Sequence, residues 1–252
     1  EVIKMHRFFV TEEQIDDEIV AINGQDAKHI RDVIRLKSGD QVEIVTENNV
    51  LKCLLEEVSR ERVLARIMSK MEKLNEPPLK ISLFQGLPKS VKMETILQKC
   101  TEVGVSEFYP VATERSVVKI KDVTKEAKKL DRWRSIIEEA AKQSRRDNIP
   151  KLGKIISFKE MLRFLEGKNV LVPYELEEEN TLRAYVEAVR GIDEVCIVIG
   201  PEGGFDLDEI QLLKNIGACS VTLGRRILRT ETAGMVVASI LLYELGDLGV
   251  IR

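Results

Sequence analysis

Hydrophobic and polar positions follow one pattern up to about residue 72 and a different pattern beyond it. In the first part, short apolar or alternating runs bounded by turn residues predict strands at residues 7–10, 41–45, 50–55 and 62–67. Between them, residues 26–36 place Ile30, Val33 and Ile34 on one stripe, which predicts an amphipathic helix. Several short strands with one helix are typical of a small barrel-like domain.

A polar stretch with two prolines, residues 71–78, separates this part from the rest of the chain. Beyond it, apolar runs predict strands at residues 80–84, 108–111, 170–172 and 195–199. Helical patterns at residues 92–103, 125–143 and 181–189 lie between those strands. This alternation predicts an α/β domain with a parallel sheet, and we expect two domains, at residues 1–72 and 73–252.

Two loop motifs in the second domain each follow a buried apolar run and precede a helix. The first is GPEGGF at residues 200–205, and the second is LGRRILRTETA at residues 223–233. Loops at the same end of neighbouring parallel strands form the usual binding crevice of an open α/β sheet. Glycines let the backbone approach a ligand closely, although a tight strand-to-helix turn explains residues 200–205 equally well. Directly afterwards, Asp206 and Glu209 form a capping-box pattern.

Arginines concentrate in the second motif: Arg225, Arg226 and Arg229. Thr230 or Thr232 is expected to cap the apolar helix that follows, and Glu231 suits its positive N-terminal end. Three cations at that end oppose the helix dipole, so an anionic or electron-rich ligand explains them better than a surface ion pair. The second motif therefore predicts an enzyme site.

Composition and charge add broader expectations, beginning with an ordinary globular content of 44% apolar and 32% charged residues. The pattern contains no apolar run of membrane-spanning length and no signal-peptide pattern, which predicts a cytoplasmic protein. The net charge of −3 conceals a basic stretch, residues 115–151, with twelve basic and six acidic side chains. That stretch predicts either a polyanion-binding patch or a solvated helix face. An acidic run at residues 175–179 is interpreted as a solvated loop.

The four cysteines are far apart and are interpreted as buried, reduced thiols: Cys53, Cys100, Cys196 and Cys219. The two histidines, His6 and His29, have no partner at metal-ligand spacing, so no metal is expected. Both lie in the first domain, which leaves the second domain without an imidazole base.

Further motifs occur in a fixed order along the chain. They are HRFF at 6–9, HIRDVIRLKSGD at 29–40, QGLPK at 85–89 with Lys92 and Met93, QKCTEVGV at 98–105, ERS at 114–116, RW at 132–133 and EEAAKQSRR at 138–146. With these and the two loop motifs, the chain resembles the bacterial 16S ribosomal RNA uracil-N3 methyltransferases of the SPOUT superfamily. The resemblance is close to full length, and the joint presence of the motifs is highly specific. Two positions depart from it, because family members often have proline at Arg225 and glycine at Arg145.

The resemblance implies a PUA-like N-terminal β-barrel that binds RNA, followed by a SPOUT α/β domain with a parallel sheet and a trefoil knot. It implies a homodimer that binds S-adenosylmethionine and methylates N3 of a specific uridine near the decoding site of the small ribosomal subunit. The substrate is then 16S ribosomal RNA or the small subunit itself. Carried over by position, three loops hold the cofactor through Leu171, Pro173 and Glu175, through Ile199, Gly200, Pro201, Glu202, Gly203 and Gly204, and through Leu223, Gly224, Arg226, Ile227, Leu228, Thr232 and Ala233.

Methylation of uracil N3 requires loss of the N3 proton, which leaves negative charge on N3 and the two carbonyl oxygens. We expect Arg229 to stabilise that charge, and Glu231 either to orient Arg229 or to relay the proton. Basic side chains are expected to hold the RNA, mostly through its phosphates: Arg7, Arg31, Arg35, Lys89, Arg115, Arg145 and Arg146.

Two alternatives remain open at this point. One is a methyltransferase of the same fold that acts on a ribose 2′-hydroxyl or on another base. The other is an RNA-binding assembly factor with a vestigial cofactor pocket. The intact glycines and the residues RTET at 229–232 favour an active enzyme.

Overall fold

A computed structural model describes residues 5–60, 62–89, 91–116 and 123–250, with the side chains described from residue 126 in the last range. The chain forms two compact units. The first holds the residues up to Glu76 together with Ala141–Asn148, and the second holds Pro77–Ala140 together with the residues from Ile149 onward. The expected boundary after residue 72 lies close to Glu76, but the sequence did not predict that residues 141–148 belong with the first unit.

The first unit is built on a six-stranded mixed sheet. Its strands are β1 (His6–Phe9), β2 (Ile15–Asp16), β3 (Ile19–Ile22), β4 (Gln41–Val45), β5 (Val50–Val58) and β6 (Val63–Met71). They lie in the order β1-β4-β5-β6-β3-β2, and only the β1–β4 pair is parallel. A short 3₁₀ helix, Glu12–Gln14, precedes β2. The four predicted strands are present, whereas β2 and β3 were missed; the two residues of β2 are too few to carry a pattern.

The predicted helix of the first unit is α1 (Gly24–Lys28), which continues as a π-helical stretch, His29–Ile34. Ile30 is fully buried, but Val33 is 70% exposed, so the expected stripe is wrong at that position. A π-helical turn is wider than the 3.6-residue turn from which the stripe was predicted, and it rotates Val33 away from the core.

A buried charge network links β1 to residues 145–147 in this unit. The Arg7 guanidinium donates to Glu43 at 3.1 and 2.9 Å, to Asp147 at 2.7 Å, and to the carbonyls of Arg145 and Arg146 at 2.6 and 2.9 Å. Arg146 is likewise buried and pairs with Glu76 at 2.6 Å. The expectation that Arg7 and Arg146 contact RNA is corrected here, because both guanidiniums are withdrawn from solvent and held by carboxylates.

The second unit contains a parallel sheet of seven strands. These are β7 (Lys80–Gly86), β8 (Glu107–Ala112), β9 (Lys151–Leu152), β10 (Ile156–Ser157), β11 (Val170–Pro173), β12 (Glu194–Ile199) and β13 (Cys219–Val221). The order is β10-β8-β7-β12-β11-β13, with β9 paired to β8. The helices of the chain beyond α1 are α2 (Lys92–Val103), α3 (Val123–Gln143), α4 (Phe158–Leu165), α5 (Leu182–Ala188), α6 (Leu207–Asn215) and α7 (Thr230–Leu245). The predicted parallel α/β domain is confirmed, whereas the trefoil knot stays a prediction.

Both faces of this sheet are covered by helices. Leu83 and Ile197 pack into a core with α2, α3, α5 and α7, while the adjacent Phe84 and Val198 pack into a second core with α4 and α6. Burial on both faces explains why the central strands are continuous apolar runs. In the described part of the chain, no helix has both the length and the apolar character needed to cross a bilayer.

The cysteines are free, as predicted, and Cys53, Cys100 and Cys196 are buried, whereas Cys219 is only half-buried. Burial raises the pKa of the Cys53 and Cys100 thiols to about 12 and that of Cys196 to about 11. A thiol with such a pKa carries almost no thiolate at neutral pH and acts as a small apolar side chain. Within the described ranges, no group of three or more potential ligands is arranged to hold a metal.

Candidate functional site

Three loops meet at the carboxyl edge of the second unit's sheet. The first loop follows β11 at residues 174–181, the second follows β12 at residues 200–206, and the third follows β13 at residues 222–229. Because β12, β11 and β13 are parallel neighbours, their carboxyl ends lie side by side. This is the crevice that the two loop motifs predicted.

Two glycines are required where the loops approach each other. Gly204 has φ +65°, and a Cβ there would lie 2.6 Å from Oε1 of Glu175, so the second loop packs directly on the first. A Cβ on Gly86, at the end of β7, would lie 2.7 Å from Cδ of Pro201. A larger residue at Gly86 would have to displace Pro201 of the second loop, whereas at Gly204 the Glu175 carboxylate can shift and the cost is the backbone strain of a positive φ.

The helix after each motif begins in a different way. Asp206 caps α6, and the side chain of Glu209 accepts a hydrogen bond from the Asp206 amide at 2.9 Å, which confirms the capping box. At α7, however, the N-cap residue is Arg229, and its side chain makes no capping bond. The Thr230 hydroxyl instead donates to the Gly200 carbonyl at 2.6 Å. The expectation that a threonine caps α7 is therefore wrong.

Gln85 extends this contact into the core. It is fully buried at the end of β7, and its Nε2 donates to Oγ1 of Thr230 at 2.9 Å and to the carbonyl of Gly86 at 3.0 Å. Thr230 thereby links the second loop, through Gly200, to β7. In the sequence, Gln85 stands out only as part of a motif, because no local pattern indicates a partner 145 residues away.

The loops enclose two adjoining cavities of about 450 and 590 Å³. The expected cofactor residues that line one or both are Pro173, Glu175, Ile199, Gly200, Pro201, Glu202, Gly203, Gly204, Leu223, Gly224, Arg226, Ile227, Leu228 and Ala233. Leu171 lines neither cavity, because its side chain is fully buried in the sheet core. Thr232 is half-buried in the first turn of α7 and also lines neither.

Charged side chains gather at the first cavity. Lys92, the first residue of α2, lies 3.1 Å from Oε1 of Glu202 and 3.3 Å from Oε2 of Glu231. The carboxylates of Glu202 and then Glu231 raise the pKa of Lys92, which keeps it an ammonium ion. Arg229 has an 80% exposed side chain, and its Nη1 lies 3.9 Å from Glu231. The two expected catalytic residues are thus neighbours, and beside them lies Lys92, whose role no sequence pattern indicated.

Two residues expected to bind RNA lie against the second loop. Arg115 donates to the Gly203 carbonyl at 3.0 Å and to Asp206 at 3.1 Å, with its side chain still 45% exposed. The backbone amide of Lys89 donates to Glu202 at 3.0 Å, and Lys89 is exposed. Arg31, Arg35 and Arg145 belong to the first unit and keep exposed or half-exposed side chains.

The acidic run of the first loop is not uniformly solvated, which corrects that expectation. Glu177 is buried and accepts hydrogen bonds from the Ser220 hydroxyl and from the amides of Glu179 and Asn180. The Ser220 hydrogen bond is the main reason why the pKa of Glu177 is lowered. Glu177 therefore shapes the wall of the second cavity as an ionised, hydrogen-bonded carboxylate.

This geometry predicts a pH-dependent stabilisation. Because the folded state lowers the pKa of Glu177, the stabilisation is present above the ordinary glutamate pKa of about 4.3 and is lost as the pH falls through the lowered value. We expect Glu177→Gln to lower the melting temperature at pH 7, by an amount that holds down to about pH 4.3 and shrinks below it as the pH approaches the lowered pKa. Thermal unfolding across this range measures it, with the exposed neighbour Glu178 as control in Glu178→Gln. A deficit that stays constant with pH would contradict the assignment.

Comparison with known proteins adds independent information about the family. A family model described as an RNA methyltransferase domain matches residues 75–242, and one described as an RNA methyltransferase PUA domain matches residues 22–68. The chain belongs to this RNA methyltransferase family. Membership confirms the resemblance recognised in the sequence and the PUA-like assignment of the N-terminal part.

Relatives within the family match the chain over nearly its whole length. The ribosomal RNA small subunit methyltransferase E of Bacillus subtilis is 34% identical, covering 95% of this chain and 97% of its own. A structure of the enzyme of that name from Neisseria gonorrhoeae, bound to S-adenosylmethionine, is 29% identical with a TM-score of 0.88, covering 97% of this chain and 99% of its own. A Legionella pneumophila protein in complex with the same cofactor is 33% identical with a TM-score of 0.88, covering 98% of this chain and all of its own.

Proposed function

We propose that the protein transfers a methyl group from S-adenosylmethionine to N3 of a specific uridine in 16S ribosomal RNA, near the decoding site. The three-loop cavity carries this proposal, since it lies on a chain 29% identical to a small-subunit ribosomal RNA methyltransferase with that cofactor bound. Two adjoining spaces of about 450 and 590 Å³ suit a ligand with two unequal halves. Apolar Ile227 and Leu228 line both, and the carbonyl and amide groups of the glycine loop supply polar contacts.

The cofactor, when bound, supplies an electrophilic methyl group on a sulfonium. In the proposed reaction uracil N3 loses its proton, the N3–methyl bond forms and the methyl–sulfur bond breaks. Arg229 lines the first cavity with a largely exposed guanidinium, which suits it to stabilise the negative charge on the base. Glu231 orients Arg229 or accepts the proton, and the 3.9 Å separation favours a loose contact that tightens when the base is bound.

We assign RNA binding to the basic side chains that remain accessible in each unit. In the first unit these are Arg31, Arg35 and Arg145, and in the second they are Lys89, Arg115, Lys128, Arg132 and Arg134. Lys119 and Lys121 of the basic stretch lie outside the described residues. Such side chains bind phosphates and set the register of the RNA, while the target base turns out of its stack to reach the cavity.

The proposal includes a homodimer that acts on ribosomal RNA in the cytoplasm. Its support in the second unit is an exposed, partly apolar surface of α7, where Ile240 and Tyr243 are 37% and 66% exposed. A hollow of about 760 Å³ beside Ile240 continues this surface toward α5. The mass of the protein in solution tests the dimer.

The test of function is reverse transcription through 16S ribosomal RNA and small subunits incubated with enzyme and S-adenosylmethionine. Because N3 methylation blocks base pairing, we expect reverse transcription to stop at one new position, one nucleotide on the 3′ side of the modified uridine. We also expect mass spectrometry to detect 3-methyluridine in the nucleoside digest. A methylated ribose or another methylated base would replace the proposed specificity with that of another enzyme of this fold. If calorimetry with S-adenosylhomocysteine showed no binding, an RNA-binding assembly factor would explain the chain better.

A further inference from the structure

Lys92 connects three segments of the second unit. As the first residue of α2 it contacts Glu202 of the second loop at 3.1 Å and Glu231 in the first turn of α7 at 3.3 Å. Its side chain is 30% exposed and lines the first cavity. A lysine at a helix N-terminus opposes the helix dipole, so Lys92 does not serve the stability of α2 itself. The position is explained by what the ammonium group contacts.

Glu231 needs such a contact. Its side chain is 19% exposed, and Oε2 is shielded from solvent without a hydrogen bond of good geometry from the described residues. A shielded carboxylate oxygen is costly unless a charge compensates it. Arg229 lies 3.9 Å from the other oxygen and is 80% exposed, so Lys92 is the nearer and less exposed cation.

We propose that Lys92 is a positioning residue that holds Glu231, and through it Arg229, at the mouth of the cavity. The contact with Glu202 anchors the same ammonium group to the second loop, and Glu202 is itself fixed by the Lys89 amide. Lys92 therefore sets the distance between the cofactor loop and the residues that act on the base. The inference rests on the proposed function, because it presumes that Glu231 and Arg229 act on the methylated base.

A double-mutant cycle tests the coupling. We expect Lys92→Met to lower the single-turnover methylation rate by about 10- to 100-fold with nearly unchanged cofactor affinity, and Lys92→Arg to restore most of it. In a Glu231→Gln background, Lys92→Met should add less than about threefold, because the contact is already gone. Lys99→Met is the matched control, since Lys99 lies on α2 and pairs with Glu102 on the same helix. Equal losses in both backgrounds would overturn the proposal and indicate direct contact with RNA.

A second measurement does not depend on activity. In the protein without cofactor, Lys92→Met should speed hydrogen exchange of the amides of Thr232 and Ala233, which donate to the Arg229 carbonyl where α7 begins, whereas Lys92→Arg and Lys99→Met should not. Unchanged exchange in Lys92→Met would show that Lys92 does not hold Glu231, whatever the enzyme methylates. The double-mutant cycle uses the rate of formation of whichever methylated nucleoside is found. A product other than 3-methyluridine would therefore refute the proposed function, while the cycle and the hydrogen exchange would still decide the role of Lys92.

Discussion

Arg229→Ala is expected to lower the methylation rate by about 100- to 1,000-fold while cofactor affinity stays near that of the wild type. We expect the rate of the chemical step to fall, and not the affinity for the cofactor. The reason is that the Arg229 guanidinium stabilises negative charge on the uracil base, and this charge develops only as N3 loses its proton. The backbone should survive the change. The Arg229 carbonyl accepts from the amides of Thr232 and Ala233 at 2.8 and 2.9 Å, and its side chain makes no capping bond that alanine would remove.

Single-turnover rates and calorimetric cofactor binding measure the two effects separately. Arg163→Ala is the control, because Arg163 is an exposed arginine on α4, which packs on the opposite face of the sheet from α7. Arg229→Lys keeps a charge but not the planar donor pair, so we expect a rate between those of wild type and Arg229→Ala. A wild-type rate in Arg229→Ala would remove Arg229 from the chemistry. A loss of cofactor affinity equal to the loss of rate would make it a cofactor-binding residue.

Local sequence signals predicted those parts of the second unit that depend on neighbouring residues. Helix α2 begins and ends at the predicted residues, Lys92 and Val103, because its apolar stripe and the terminating Gly104 lie within one short window. The capping box of α6 was predicted for the same reason. Helix α4 was missed, although Ser157 and Glu160 form the same kind of capping box before it.

The errors arose where a side chain depends on a distant partner. Within its acidic run Glu177 looks like a solvated side chain. In the fold it is buried and accepts a hydrogen bond from Ser220, 43 residues away. Thr230 looks like a helix cap, yet its hydroxyl is bound to Gly200, 30 residues away. Local composition cannot indicate such pairs. The two loop motifs contain residues whose role depends on neighbouring residues and residues whose role depends on a distant partner. The glycines and Arg229 were therefore recognisable from the sequence, whereas the contacts of Lys92 and Gln85 required the fold.

Arg7 is the clearest instance of a residue whose role the fold reverses. An exposed arginine in an RNA-binding domain would contact phosphate, but this guanidinium is 4% exposed and is bound by Glu43 and Asp147. Removing one partner of a buried pair leaves an uncompensated charge, which typically costs about 3–5 kcal/mol. Because Glu43 still pairs with Arg7 in Asp147→Ala, we expect this variant to lower the free energy of unfolding of the first unit by at most about that amount. Asp147 also accepts from the Asn75 amide at 2.6 Å, so the variant loses a second buried contact.

Because the chain has two compact units, a single unfolding curve would mix their stabilities. Denaturant-dependent hydrogen exchange resolves them: amides of β1 and β4 should lose protection in Asp147→Ala, while those of β7 and β12 should not. Glu57→Ala removes an exposed partner of Arg62 in the same unit and should change neither set. Asp147→Asn keeps the shape of the side chain but removes its charge. If this variant loses less protection than Asp147→Ala but more than the wild type, the part that it loses is the contribution of the charge. If β1 kept full protection in Asp147→Ala, the network would not anchor that strand, and Arg7 would return as a candidate for RNA contact.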